Sequence, residues 1–332
     1  MSLIVYRIGP SCTIQDQGRV GYLDQGLSRS GAADILALHE GAALLGQSPD
    51  LAALEMAGMG GEFEATQNMH IALTGARMQA SIDGGPVSWN ASHQLAAGQR
   101  LVIGAAVQGN YGYLHLGGGI EAKVFLGSRS AHLTARIGRA VQQGDTLTCG
   151  LHTGKTGLKL MPADRFAGGE LRVVASFQTT LFDQATLDRF AANAFRRGTR
   201  ANRMGMQVDS DGGGFAASGQ LNILSEVITP GDIQMTGAGD PFILLPECQT
   251  TGGYPRIATV LPCDMPRAAQ TPAGGPIRFK FVSMDEASAL HTGFLSDLAR
   301  LPSRVEPLVR DPHDIPDLLS YQLIGGVISA TD

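Results

Sequence analysis

Between Leu54 and Leu147 the chain is cut by glycine, proline or an Asx turn about every eight to twelve residues, which leaves no room for long helices. The pieces between the cuts are short and apolar: Glu62-Phe63-Glu64, His70 to Thr74, Gln79 to Ile82, Gln99 to Ile103 and Tyr111 to Leu116. Asp83-Gly84-Gly85-Pro86 has the composition of a tight hairpin turn between two of them. Such punctuation excludes a helical bundle and predicts a β-barrel or sandwich. The 44 glycines, 16 prolines and scarcity of aromatic residues agree with that, and 43% hydrophobic content supplies a sizeable core.

Helices are few and carry clear end signals. Asp34 is placed to cap Ile35, Leu36, Leu38, Ala42 and Leu45 at helical spacing, with Gly46 at the stop. Asp183 caps a second pattern expected to run through Leu187, Phe190 and Ala194 to Arg197, ended by Gly198. Ser283-Met284-Asp285-Glu286 is a capping box that opens a last helix to about Arg300, with Pro302 beyond it. The order of signals in the second half echoes the first at an offset of about 170 residues. Asn202-Arg203-Met204-Gly205 answers Arg29-Ser30-Gly31, and Ser225-Glu226 answers Leu54-Glu55. A degenerate duplication follows, with β subdomains over 1–153 and 170–300, a linker over 154–169 and a tail over 301–332. In the tail, Tyr321 to Ile328 reads as a strand added to this chain's sheet or to a partner's, which admits a homo-oligomer.

The formal charge of −5 and the lack of Lys/Arg runs argue against nucleic acid or an anionic membrane as partner. With no apolar run of membrane-spanning length and no signal-peptide pattern, a cytoplasmic protein is expected. The four cysteines share no CxxC spacing, and the eight histidines show no metal-ligand spacing, so no metal site is expected. Gly150 to Thr156 is one residue short of a phosphate-binding loop, and no helical pattern follows it. What remains is polar side chains on glycine-rich stretches. One group is Gln15, Asp16, Arg19, Ser30 and Gly31, and Arg203 is its counterpart in the second half. A third lies in Pro246 to Gln270, where Gly252-Gly253 reads as a hairpin turn decorated by Gln249, Thr250, Thr251 and Tyr254, with Asp264 and Gln270 beyond. Amide side chains and open backbone N–H groups suit an amide or urea-type ligand, because they donate and accept at once. Arg19 or Arg203 is placed to stabilise an oxyanion, and Asp264 or Asp16 to move a proton.

Three blocks resemble the allophanate hydrolase subunit 2 family, also called biotin-dependent carboxyltransferase, the C subunit of 5-oxoprolinase, or KipA. They are TIQDQGRVGYLDQGLSRSGAAD from Thr13, GGGIEAKVFLGSRS from Gly117, and QTTGGYPRIA from Gln249 with CDMPRAAQ from Cys263. The resemblance implies two cyclophilin-like β-barrel subdomains related by pseudo-twofold symmetry, mainly β with a few short helices. It also implies a smaller subunit 1 or KipI-like partner, with ATP or biotin used by the complex and neither bound by this chain. ATP-dependent opening of 5-oxoproline is the first expectation. Biotin-dependent carboxyl transfer to urea is the alternative, and non-catalytic binding of a kinase inhibitor in the KipA manner is a third.

Overall fold

In a computed structural model, residues 1–217 and 224–309 are described; the run Tyr321 to Ile328 lies outside them. The chain is mainly β, with helices α1 (Ile35–Leu45), α2 (Gln184–Ala192), α3 (Met265–Gln270) and α4 (Met284–Arg300). An eleven-stranded sheet runs in the order Glu306–Pro307, Leu158–Lys159, Ala91–Leu95, Met69–Ile82, Arg100–Leu116, Gly61–Ala65, Ser2–Ile8, Thr146–Thr148. Ala53–Ala57 joins it through Arg100–Leu116 and carries Thr13–Gln15 on its other side. The second half closes into a seven-stranded barrel. Its seam is the parallel pairing of Gly169–Val174 with Pro276–Phe281.

Asp34 caps α1 by accepting from Ala37 N, and Ser283 caps α4 by accepting from Glu286 N at 3.1 Å. The Asp83-Gly84 turn forms as expected, with both residues at positive φ and Ile82 facing Gly85. Some breaks are softer than their composition suggests. His70 to Thr74 and Gln79 to Ile82 belong to one strand, as do Gln99 to Ile103 and Tyr111 to Leu116. Register shifts between Gly75 and Ala80 absorb the irregularity as bulges, so the strand bends without ending.

Two expectations are corrected. α2 stops at Ala192, and Phe195–Ala201 is a strand paired with Gly205–Ser210 and Pro276–Phe281. Phe195 is drawn into a cluster with Phe190, Phe215 and Phe279 at centroid distances of 5.1, 5.5 and 5.1 Å, and that packing outweighs the helical period. Gly252-Gly253 does not turn a hairpin either. Strand Asp232–Met235 lies between Pro241–Leu244 and Arg256–Val260, pairing with both. A two-residue turn joins only neighbouring strands, whereas residues 245–255 are long enough to pass over one. Thr251–Gly252 pairs instead with Glu226–Val227 in a separate ribbon.

The stretch 154–169 is tied down at several points. Leu158–Lys159 is paired on both edges, and the stretch Gly150 to Thr156 leads into that strand rather than a helix, so it forms no phosphate loop. Buried Arg165 donates to Asp34 Oδ2 at 2.7 Å and to both oxygens of Glu40 at 2.9 and 2.7 Å. Burial pushes the Glu40 carboxyl upward, and Arg165 opposes it. Arg165→Leu leaves two buried carboxylates without their cation and is expected to cost about 3–5 kcal/mol. A group raised in the folded state stabilises below its ordinary value and loses that as pH rises. The deficit should therefore be largest near neutrality and shrink on acidification, as read from urea midpoints at two pH values.

Candidate functional site

Arg203 follows strand Phe195–Ala201 and reaches across to the first half. Its Nε donates to Glu247 Oε1 at 2.6 Å, Nη1 to Glu55, and Nη2 to Gly31 O at 2.6 Å and Ser30 Oγ at 3.3 Å. All three charged side chains are buried. Burial alone lowers the guanidinium's pKa, but Glu55 and Glu247 outweigh it and hold the charge firmly. Glu55 also accepts from Tyr113 OH at 2.6 Å and Ala33 N at 2.8 Å. Arg203, Ser30 and Gly31, which the sequence marked only as counterparts in the two halves, thus meet, and the arginine's donors are spent on protein groups.

Asp16 accepts at its backbone carbonyl from Ala32 N, next to Gly31. Its carboxylate oxygens accept from Ser128 Oγ, Ser130 Oγ, Arg129 N and Gly18 N, which binds the Leu126-to-Ser130 turn to the first block. Burial raises this carboxyl, but the four donors win and its pKa lies below the ordinary value. Gln15 donates to Thr13 Oγ1 at 2.9 Å and Ala131 O at 3.2 Å, leaving Oε1 unpaired. Arg19 donates to Ser130 O and Phe125 O and keeps one buried nitrogen, Nη1, without a partner. Its pKa is lowered by burial, against Asp16 and Glu247.

A serine, a histidine and a carboxylate stand in line beside the Arg203 cluster. Ser28 Oγ is 2.8 Å from His132 Nε2, and His132 Nδ1 is 3.8 Å from Glu247 Oε2. Their hydrogen bonding is wrong for a hydrolase triad. His132 Nδ1 accepts from Ala135 N at 3.2 Å, so the ring proton sits on Nε2 and points at the serine. Burial pushes the imidazole's pKa down, with Glu247 opposing.

Two neighbouring cavities lie around Arg203 and the strand before it. One of about 410 Å³ has Arg203, Glu247, Tyr111 and Arg197 in its lining. The other, about 620 Å³, lies outside the barrel wall and is lined by Gln249, Tyr254, Gln234, Phe242 and Leu244. Ala201, Asn202 and Met204 border both. Arg256 donates to Val227 O at 2.8 Å and Glu226 Oε2 at 2.6 Å, pinning the ribbon that contains Thr251 and Gly252, close in sequence to the lining residues Ile228, Gln249 and Tyr254. Thr250 O accepts from Ile228 N there. Cys248, in the same lining, is pushed up to about 12 by burial, then by Asp232, and stays a thiol. Asp264 and Gln270 lie elsewhere. Asp264 takes Arg172 N and Nε at 2.8 Å each. Gln270 is fully buried and bridges Asn110 N, Tyr111 N and O, and Asp34 Oδ2.

The family model described as carboxyltransferase domain, subdomain A and B, matches residues 25–281. The chain belongs to this family. It is 33% identical to the C subunit of the Escherichia coli 5-oxoprolinase over 292 residues, covering 86% of this chain and 93% of that protein. The C subunit of the Haemophilus influenzae 5-oxoprolinase is 34% identical, covering 84% and 90%. The urea amidolyase of Saccharomyces cerevisiae is 23% identical over 85% of this chain and 17% of its own length. In structure, the K. lactis urea amidolyase superposes with a TM-score of 0.80 over 94% of this chain and 21% of that one; at 20% identity the likeness is one of fold.

Within this carboxyltransferase fold, Glu55, Ser28, His132, Arg256 and Gln234 hold places that sequence reasoning missed. Glu55 alone left a signal: a carboxylate between Leu54 and Met56 in an apolar strand needs a buried partner. The others are ordinary polar residues whose neighbours come from distant segments. For Asp16, whose pKa is lowered, stability is present above the ordinary value of 3.8 and lost as pH falls through the folded value. Asp16→Asn is expected to cost roughly 2–3 kcal/mol at neutral pH, because a charged acceptor of four hydrogen bonds is lost. The gap to wild type should narrow below about pH 4, as measured by urea midpoints across that range.

Proposed function

We propose that this chain is the C component of a 5-oxoprolinase-type enzyme. In this reading it works with a subunit 1 or KipI-like partner in the cytoplasm and contributes a binding surface for a small cyclic amide. One observation carries the reading: identity of 33–34% extends over 90% or more of two proteins named as the C subunits of 5-oxoprolinases. Identity to a urea amidolyase is 23% over 17% of its length. The larger cavity supports it, since Gln249 and Tyr254 converge there with a second amide, Gln234, over apolar walls. Carboxyl transfer in a urea-processing system is the second reading, favoured by the family description and by the superposition on urea amidolyase.

The division of labour follows the same line. ATP is consumed by the complex and handled on another polypeptide, and this chain holds and orients the amide. The partition into 1–153, 154–169 and 170–300 belongs to the same proposal, with Arg203 crossing from the last unit to the first.

The purified chain with ATP and 5-oxoproline should release no glutamate until the partner polypeptides are added. Glutamate from the lone chain would refute the proposed division. In the reconstituted complex Gln249→Ala tests the substrate surface. Gln249 is exposed, so its removal should shift the urea midpoint by less than about 0.5 kcal/mol in stability. Turnover should fall by about tenfold or more if its amide grips the substrate. Unchanged turnover would remove Gln249 from the substrate surface.

A further inference from the structure

Gln234 sits within strand Asp232–Met235, whose Ile233 and Met235 enter the barrel core while Gln234 faces outward. It is only 9% exposed, and its Nε2 has no hydrogen-bond partner. A buried amide N–H left unpaired carries an uncompensated desolvation penalty, so an acceptor is expected from outside the chain. The near neighbours of Nε2 include the Gly252 backbone, and the Ile228 methyls lie beside the same glycine. A Cβ added at Gly252 would stand 2.6 Å from Gln234 Nε2 and 3.0 Å from Ile228 Cδ1. Gln234 belongs to the lining of the larger cavity, and any side chain at position 252 would displace its amide.

The rest of the lining narrows the ligand class. Phe242, Leu244 and Ile228 give flat apolar walls, which suit a small ring. Arg200 is the single charged side chain in the lining among the described residues, and it stands exposed at the rim. Its Nε donates to Gln207 Oε1 at 2.6 Å, and its guanidinium lies 5.7 Å from the Phe242 ring centroid. A buried neutral donor in the lining matches a carbonyl oxygen. An exposed guanidinium at the mouth matches a carboxylate. We propose that this cleft binds a small ring amide bearing a carboxylate, with Gln234 donating to the ring carbonyl and Arg200 facing the carboxylate. The proposal rests on the amide-binding reading above and assigns its recognition to two side chains.

Titration calorimetry on the full chain tests it with three probes. 5-Oxoproline has both groups, 2-pyrrolidinone has the ring carbonyl alone, and proline has the carboxylate alone. 5-Oxoproline should bind tightest, the other two about tenfold or more weaker. Gln234→Leu should weaken 5-oxoproline and 2-pyrrolidinone alike by about tenfold, and Gly252→Ala should do the same by displacing the amide. Arg200→Gln should weaken 5-oxoproline and leave 2-pyrrolidinone unchanged. Melting temperatures near that of wild type confirm that each variant is folded. The proposal is overturned if the wild-type chain binds none of the three, or if folded Gln234→Leu binds 5-oxoproline as wild type does. Reconstituted turnover separates the two readings. Turnover that ignores Gln234→Leu removes the cleft and keeps the 5-oxoprolinase assignment. Gln234-dependent binding of the lactams without turnover in the complex keeps the cleft and removes the assignment.

Discussion

Arg203 is held between Glu55 and Glu247, and the relation of the two halves depends on it. Dehydrating three charges is expensive, and their attraction recovers that only when every donor and acceptor is placed. Here the placement is complete on the arginine: its remaining donors meet Gly31 O and Ser30 Oγ, while Tyr113 and Ala33 complete Glu55. Such a cluster adds little net stability over an apolar contact of the same size, but it tolerates few alternative arrangements. Its effect is to set the angle and register at which the closed barrel meets the large sheet. A second polar knot, of Asp34, Arg165, Glu40 and Gln270, does the same on the other side of α1.

With the junction set in this way, the larger cleft is built from parts that cannot move independently. Its floor is the outer face of barrel strands, which are rigid because their other face is core. The lining residues Ile228, Gln249 and Tyr254 flank the short ribbon Glu226–Val227 with Thr251–Gly252, which would be unstable alone and is secured by Arg256. The motif Gln249 to Ala258 therefore does two jobs. Gln249 and Tyr254 line the opening, and Arg256 anchors what they stand on.

The sequence was most informative where local chemistry decides the outcome. Capping residues Asp34, Asp183 and Ser283, and the turn at Asp83-Gly84, are visible because their partners lie within a few residues. The mainly β class was visible in the spacing of breaks. It was least informative where distant segments compete. Gly252-Gly253 resembles a hairpin turn, yet Asp232–Met235 inserts between its flanking strands, and only barrel closure requires that. Phe195 sits in a helical pattern until the aromatic cluster claims it. The polar groups stood out by composition, but their roles divided on contact: Arg203 and Asp16 are saturated by protein donors and acceptors, Asp264 is held by Arg172, and Gln270 bridges the two halves. Gln234 was invisible, since an unpaired amide is a property of its surroundings and not of its letter.

The short strand Glu306–Pro307 pairs with Leu158–Lys159 at one border of the large sheet, whose other members lie between residues 2 and 148. A chain made from its N-terminus can pair most of that sheet early, but this border is finished only when residues some 150 positions later have emerged. The barrel is threaded into the interval. Its strands are complete at Phe281, before the last piece of the first sheet arrives. The two halves are thus interleaved in time as well as joined in space, and α4 with the segment after it acts as a late clasp over an assembly already formed.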